Sequence, residues 1–224
     1  MELNNCVCNS TSARPLQKIG KFTILKCNGC SLVYYIPVLS KSELSACYDS
    51  SYYSREKQVS ADHNYISNLR LDIVNEIVLF HSKFKLLEIG SGEGHFLNSC
   101  KERGFSIEGI EISEFAVKSA KKKYNIETFC GTLVDYNKVK EDFDLIVAWN
   151  VVEHFQDIRK NFEKCYEILK GEGFILIRTM NIDSLVLTLC GDGEIQEGSI
   201  WEALMFVQHK SIENFVVLPI YIGL

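Results

Sequence analysis

The sequence predicts an α/β protein: a parallel sheet with helices on both faces, preceded by a small cysteine-bearing segment. Three observations lead there. The run from Lys85 to Phe96 carries an apolar strand into a loop with glycine at positions 90, 92 and 94, and a helical pattern begins at once. Downstream, strand-like and helix-like stretches alternate, and strands joined by helical crossovers pair in parallel. Ahead of both, Cys6-Val7-Cys8 and Cys27-Asn28-Gly29-Cys30 form two close pairs.

The first segment, residues 1–38, has its own logic. The second cysteine pair sits between two β-like stretches, Phe22 to Leu25 and Ser31 to Ile36. A hairpin with a Cys-x-x-Cys knuckle facing a second pair is how tetrahedral zinc ribbons are built. Cys6, Cys8, Cys27 and Cys30 are therefore the candidate metal ligands, for a structural ion closed by four sulfurs. The first pair is one residue shorter than the usual spacing, and four ordinary thiols is the alternative.

Residues 39–82 read as a linker and a leading helix. Tyr48, Tyr52 and Tyr53 cluster in the linker, where they can form a lid over a ligand or pack the linker onto the core. Ile66, Leu69, Ile73 and Ile77 recur at helical spacing and predict a helix over 62–82.

Residues 83–224 form the main domain. Lys85 to Ile89 is its first strand, and a helix follows from His95 to Arg103, where Gly104 stops it. Ser106 to Glu111 is the second strand, and Ser113 is placed to cap a helix over 114–123. Glu127 to Cys130 is the third. Phe143 to Trp149 contains an unbroken apolar run that suits a central strand. Asp157 can cap a helix carrying Ile158, Phe162, Cys165 and Leu169 on one face, and Gly173 to Arg178 is the fifth strand. Past Asn181 the usual closing pair of edge strands is not evident. The chain is then short by nature or truncated, and Val216 to Leu224 supplies at most one strand, which Pro219 confines to an edge or a start.

The glycine loop narrows the ligand. A dinucleotide fingerprint needs a third glycine where this chain has His95, and it needs room for a pyrophosphate at the helix N-terminus. Here Glu88 and Glu93 flank the loop, repelling phosphate and favouring a cation. S-adenosylmethionine carries a sulfonium and an ammonium and no phosphate. Glu111 ends the second strand, where an acid can accept both hydroxyls of a ribose.

With these motifs in place, the chain resembles the Rossmann-like S-adenosylmethionine-dependent methyltransferases, in the branch with an N-terminal zinc-binding segment. The resemblance rests on Glu88 to Gly94, Gly109 to Ser113, Phe143 to Val147, Val151-Val152-Glu153-His154, Leu169 to Gly173 and Thr179-Met180-Asn181. It implies a donor site formed by Glu88, Gly90, Ser91, Gly92, Gly94, Phe96, Glu111 and Ile112, with Thr132 and Leu133 near the adenine. Trp149, Asn150 and Val151 would meet the methionine part. His154 is the candidate base, with a structural role in the loop as its alternative, and Glu153 is expected to hold that loop. The acceptor implied is a small molecule, of the sugar or polysaccharide-precursor kind. Two rivals stay open: a nicotinamide-dependent oxidoreductase, and a cofactor-binding scaffold without turnover.

Composition sets outer limits. The 224 residues, 46% hydrophobic and 24% charged, suit one α/β domain with an appendage. A net charge of −5 offers no basic field for nucleic acid, and Lys118, Lys121, Lys122 and Lys123 read as one solvated helix face. No segment approaches a membrane span, and the polar start of the chain carries no export signal, so the expected location is the cytoplasm, with the nine cysteines reduced. Cys47, Cys100, Cys130, Cys165 and Cys190 are expected to be mostly buried small hydrophobes.

Overall fold

The computed structural model describes residues 6–59, 63–77, 84–138, 142–179 and 215–217. Two sheets organise it. The first joins β1 (Ala13–Ile19), β2 (Phe22–Cys27) and β3 (Val33–Ile36) in the antiparallel order β1-β2-β3. Its core is small, with Cys6, Cys27 and Leu32 buried together. The sequence reading anticipated β2 and β3 and missed β1, whose residues lie almost wholly exposed and whose register breaks between Pro15 and Gln17.

Three helices cross from this sheet to the second: α1 (Lys41–Cys47), α2 (Ser50–Val59) and α3 (His63–Ile77). Ser40 caps α1 through a capping box with Glu43. The helix expected over 62–82 is thus found over 63–77, the remainder lying outside the described residues. Its buried face only partly matches the expected stripe, from which Ile73 packs on the core and Ile66 lines the cavity. Ser67, Leu71 and Val74 turn inward, while Leu69 is 47% exposed.

The second sheet has the order β6-β5-β4-β7-β8-β9, parallel throughout. Its strands are β4 (Lys85–Ile89), β5 (Ser106–Glu111), β6 (Phe129–Cys130), β7 (Phe143–Trp149), β8 (Leu169–Arg178) and β9 (Phe215–Val217). Three helices lie between strands: α4 (His95–Glu102), α5 (Glu114–Tyr124) and α6 (Ile158–Ile168). Alternate side chains of the central strands go to opposite faces, as the pleat requires. Leu87, Ile89, Ile146 and Ala148 meet Phe162, Cys165 and Ile168 of α6. Leu86, Leu145, Val147 and Trp149 meet Leu71 and Val74 of α3 and Phe96 and Leu97 of α4. Each buried Leu, Ile, Val or Phe side chain contributes about 1.5–3 kcal/mol, so these two layers dominate the stability of the sheet.

The caps at Ser113 and Asp157 form as expected, each side chain accepting from a first-turn amide. Three bounds differ. The third strand is shorter, Phe129–Cys130; the fifth begins earlier, at Leu169, with a register shift near Phe143; and Leu169 leaves the face of α6 to start it. Residues 215–217 supply the one strand expected near the C-terminus, paired with β8. Cys100 and Cys165 are buried, but Cys47 and Cys130 are exposed, and Cys190 lies outside the described residues. Among the described residues no helix is long and apolar enough to cross a membrane.

The order reverses at β4, since β5 and β6 extend one way and β7 and β8 the other. Open parallel sheets bind ligands beyond the carboxyl ends of the strands at such a reversal.

Candidate functional site

The loop after β4 begins with two turns of backbone that only glycine takes easily. Gly90 has φ 71° and its amide donates to the Ile110 carbonyl at 2.8 Å. A Cβ there would come within 2.3 Å of Val151, so the loops after β4 and β7 touch only because the side chain is missing. Gly92 has φ 54° with nothing within 4 Å of a Cβ position, and the space beside it is the cavity. Gly94 is different. It stands back from the cavity, where a Cβ would lie 3.0 Å from Ala120 of α5, so its role is helix packing and not the ligand contact expected.

Glu111, at the end of β5, is fixed by both oxygens. One accepts from the Gly92 amide at 2.7 Å, the other from the Ser113 amide at 2.8 Å. Burial raises its pKa, and these amides oppose the rise. Each oxygen keeps a lone pair for a further donor.

Glu88 is 2% exposed, and one of its oxygens has no hydrogen-bond partner. Burial pushes its carboxyl up to about 8; Arg70 works against that shift and Glu111 adds to it. Glu93, expected to flank the loop as a second free charge, is engaged elsewhere: it pairs with Lys123 at 2.8 Å and accepts from Ser119.

A cavity of about 770 Å³ opens over the carboxyl ends of β4, β5 and β7. Glu88, Gly90, Ser91, Gly92, Phe96, Glu111, Ile112, Thr132, Leu133, Trp149, Asn150, Val151 and His154 all line it, so the candidate base and every donor-site residue read from the sequence except Gly94 meet there. Three of these residues carry buried polar atoms without partners, Glu88 Oε2, Ser91 Oγ and Trp149 Nε1. Buried polar groups are ordinarily paired, so such atoms mark where a polar ligand completes the structure. Thr132 caps the turn at Leu133–Asp135, and Asp135 turns back to Thr132 Oγ1 at 2.7 Å and to Lys41 at 2.5 Å.

The segment after β7 is held at several points. Asn150 takes a left-handed φ of 57° and its amide donates to the Arg178 carbonyl at 2.7 Å. Glu153 accepts from Thr179 Oγ1 at 2.9 Å, tying the loop to the end of β8. His154 Nε2 lies 2.9 Å from the Tyr48 hydroxyl. Burial first, then Tyr52 and the carboxylates of Glu153 and Glu111, hold the Tyr48 phenol well above its ordinary pKa, so it stays protonated. Tyr48, Tyr52 and Tyr53 line the cavity, and Tyr53 is also buried and stacked on Phe115 at 5.6 Å.

Four cations of the cavity wall, Lys41, Arg70, Lys160 and Arg178, escaped the sequence reading. Arg70 projects from α3 and its guanidinium lies 5.1 Å from the Trp149 ring centroid, while Arg178 comes from the end of β8. For Arg70 the usable signal was its position one turn after Ser67 and just before Leu71, on the edge of the true buried face.

The cysteine cluster is a second candidate site. All four sulfurs lie within 4.8 Å of one another, with Cys6–Cys30 and Cys8–Cys27 each at 3.5 Å. These separations are too long for disulfides, which have S–S of about 2.05 Å. They approach the edge of about 3.8 Å that a tetrahedron with metal–sulfur bonds of about 2.3 Å requires. The donor set and spacing therefore fit a tetrahedral zinc ion.

A doubly flanked parallel sheet with a glycine loop, an amide-clamped acid at the end of its second strand and a cavity at the strand-order reversal defines a Rossmann-like domain. A family model described as a methyltransferase domain matches residues 57–214, and the chain belongs to that family. The ubiquinone biosynthesis O-methyltransferase of Nitrosomonas europaea is 29% identical over 125 residues, covering 52% of this chain and 52% of that protein. The chain spans about half the length of the curated relatives it matches. Among solved structures, a SAM-dependent methyltransferase from Archaeoglobus fulgidus shares the fold at 21% identity and a TM-score of 0.58, over 70% of this chain and 72% of that one. The [4+2]-cyclase SpnF also shares it, at 16% identity and a TM-score of 0.56, over 76% and 73%.

Proposed function

We propose that the chain binds S-adenosylmethionine in the cavity over β4, β5 and β7 and transfers its methyl group to a small-molecule acceptor. The observation that carries this reading is Glu111, clamped by two loop amides, beside a buried Glu88 that ionises in favour of a cation. Glu111 takes the ribose hydroxyls. Arg70 and Glu88 offer opposite charges to the zwitterionic end of the donor. S-adenosylmethionine bound there supplies an electrophilic methyl.

The protein's part is mainly alignment, for which about 7–11 kcal/mol is available when reacting groups are well oriented. His154 is the candidate base. It takes the acceptor's proton directly, or through Tyr48, whose hydroxyl passes its own proton to Nε2 as it receives the acceptor's. His154→Asn is expected to lower radiolabelled methyl transfer into a small-molecule extract by about 10²-fold or more with donor affinity unchanged. Undiminished transfer would remove His154 from the chemistry. A sugar or polysaccharide-precursor acceptor is what the resemblance to the zinc-bearing branch implies, and Cys6, Cys8, Cys27 and Cys30 are read as holding a structural zinc. A cluster of four cysteine sulfurs held for a metal suits a reducing compartment such as the cytoplasm.

The donor assignment has a pH signature. Glu88 titrates near 8 in the folded chain against an ordinary 4.5, so without ligand its burial lowers stability progressively as pH rises from about 4.5 to about 8. A cationic donor favours the ionised carboxylate, so affinity for S-adenosylmethionine should rise between pH 6 and 7.5 by up to about tenfold per unit, with proton release. Calorimetry in two buffers of different ionisation enthalpy measures this, and Glu88→Gln should flatten the dependence. Tight binding of NADH with no heat from S-adenosylmethionine would overturn the assignment in favour of a nicotinamide enzyme.

A further inference from the structure

Four lysines and arginines line the cavity: Lys41, Arg70, Lys160 and Arg178. Three have evident employment. Lys41 pairs with Asp135 at 2.5 Å, Lys160 with Asp157 at 3.4 Å, and Arg70 lies over the Trp149 ring within electrostatic range of Glu88. Arg178 has none: among the described residues its guanidinium makes no ion pair and no hydrogen bond. Its backbone is nonetheless pinned, since its carbonyl accepts from Asn150 N at 2.7 Å. The nearby acid of the β7 loop, Glu153, is turned to Thr179 Oγ1. Placement at the end of β8 puts Arg178 two strands from β4 and its glycine loop and three from Glu111 at the end of β5. It shares the β7–β8 side of the cavity with His154.

An arginine fixed at the root, partly buried and without a counter-charge is a receptor for a planar or tetrahedral oxyanion, which it can grip with two parallel N–H donors. We propose that Arg178 selects the acceptor by pairing with an oxyanion, carboxylate or phosphate, carried by the molecule that is methylated. This rests on the methyl-transfer reading above and adds to it the charge of the substrate.

The test uses the full chain saturated with S-adenosylhomocysteine and three probes: glucose 1-phosphate, glucuronate and neutral glucose. Ligand-observed NMR titration is expected to show binding of at least one oxyanion probe and none of glucose, and the stronger arm tells phosphate from carboxylate. Arg178→Met should weaken that probe tenfold or more, Arg178→Lys should retain part of it, and both should bind S-adenosylhomocysteine within twofold of the parent. The lysine variant keeps the comparison valid if the methionine variant folds poorly. Equal binding of glucose, no binding of either oxyanion, or an unchanged Arg178→Met overturns the proposal. So does a loss of S-adenosylhomocysteine affinity in both variants, which would move Arg178 to the donor. If the parent itself fails to bind S-adenosylhomocysteine, the methyl-transfer reading falls first, by a separate signal.

Discussion

Glu111→Ala should reduce affinity for S-adenosylmethionine on the order of 100-fold, the largest functional loss expected from a single side chain here. The carboxylate accepts from the amides of Gly92 and Ser113 at 2.7 and 2.8 Å, so it builds the loop as well as lining the cavity. Hydrogen bonds to a charged group are worth about 1.5–3 kcal/mol each, and the substitution forfeits those to the ribose while leaving two amides without an acceptor. Glu111→Gln is the sharper variant. Its carboxamide keeps the volume but has one accepting oxygen, so it cannot serve both amides. Affinity close to that of Ala is expected for Gln, and calorimetry decides it. Parent-like binding by either variant would strip Glu111 of its assigned place.

Loss of the proposed zinc is the second large effect expected. The three-stranded sheet buries little beyond Cys6, Leu25, Cys27 and Leu32, too small a core to stand unaided. Zinc-finger peptides gain about 10–16 kcal/mol of apparent binding energy from zinc, and that energy is folding energy. The purified chain should therefore carry one equivalent of zinc, and Cys27→Ser should lose it. In the variant, residues 6–39 should become open to protease while the parallel sheet still melts cooperatively. Metal-free parent protein with a protease-resistant first segment would sink the zinc assignment.

What could be read without coordinates followed from how strongly local chemistry constrained each element. β4 and β7 were plain because both of their faces are buried, which leaves an apolar run no other reading fits. Glu111 and Ser113 were plain because a strand-end acid and a helix cap announce themselves within a few residues. β1 was hidden: its sequence, Ala-Arg-Pro-Leu-Gln-Lys-Ile, has no alternation because almost none of it is buried. α3 carried two competing apolar stripes. Packing against β4 and β7 chose the one through Leu71 and Val74, and only tertiary contact could choose it. Glycine spacing likewise did not separate Gly92, open to the cavity, from Gly94, closed against α5. Glu93 looked like a free charge because its partner, Lys123, lies on the next helix but one strand away in sequence. Arg70 and Arg178 sit in a helix and at a strand end whose surroundings carry no motif at all.

The first sheet is moored to a part of the chain made much later. Gln156 Nε2 donates to the Leu39 carbonyl at 2.6 Å, and Arg159 donates to the Val7 carbonyl at 2.7 Å, across sequence separations of 117 and 152. A nascent polypeptide leaves the ribosome from its N-terminus, so the cysteine-bearing hairpin emerges before either of these bonds can form, tied meanwhile to α1 through Lys21 and Glu43. Capture of the proposed zinc by that hairpin would need only residues 6–30, whereas its berth needs about 130 more, so the two events would be separated in time by the elongation of the strands from β4 to β7.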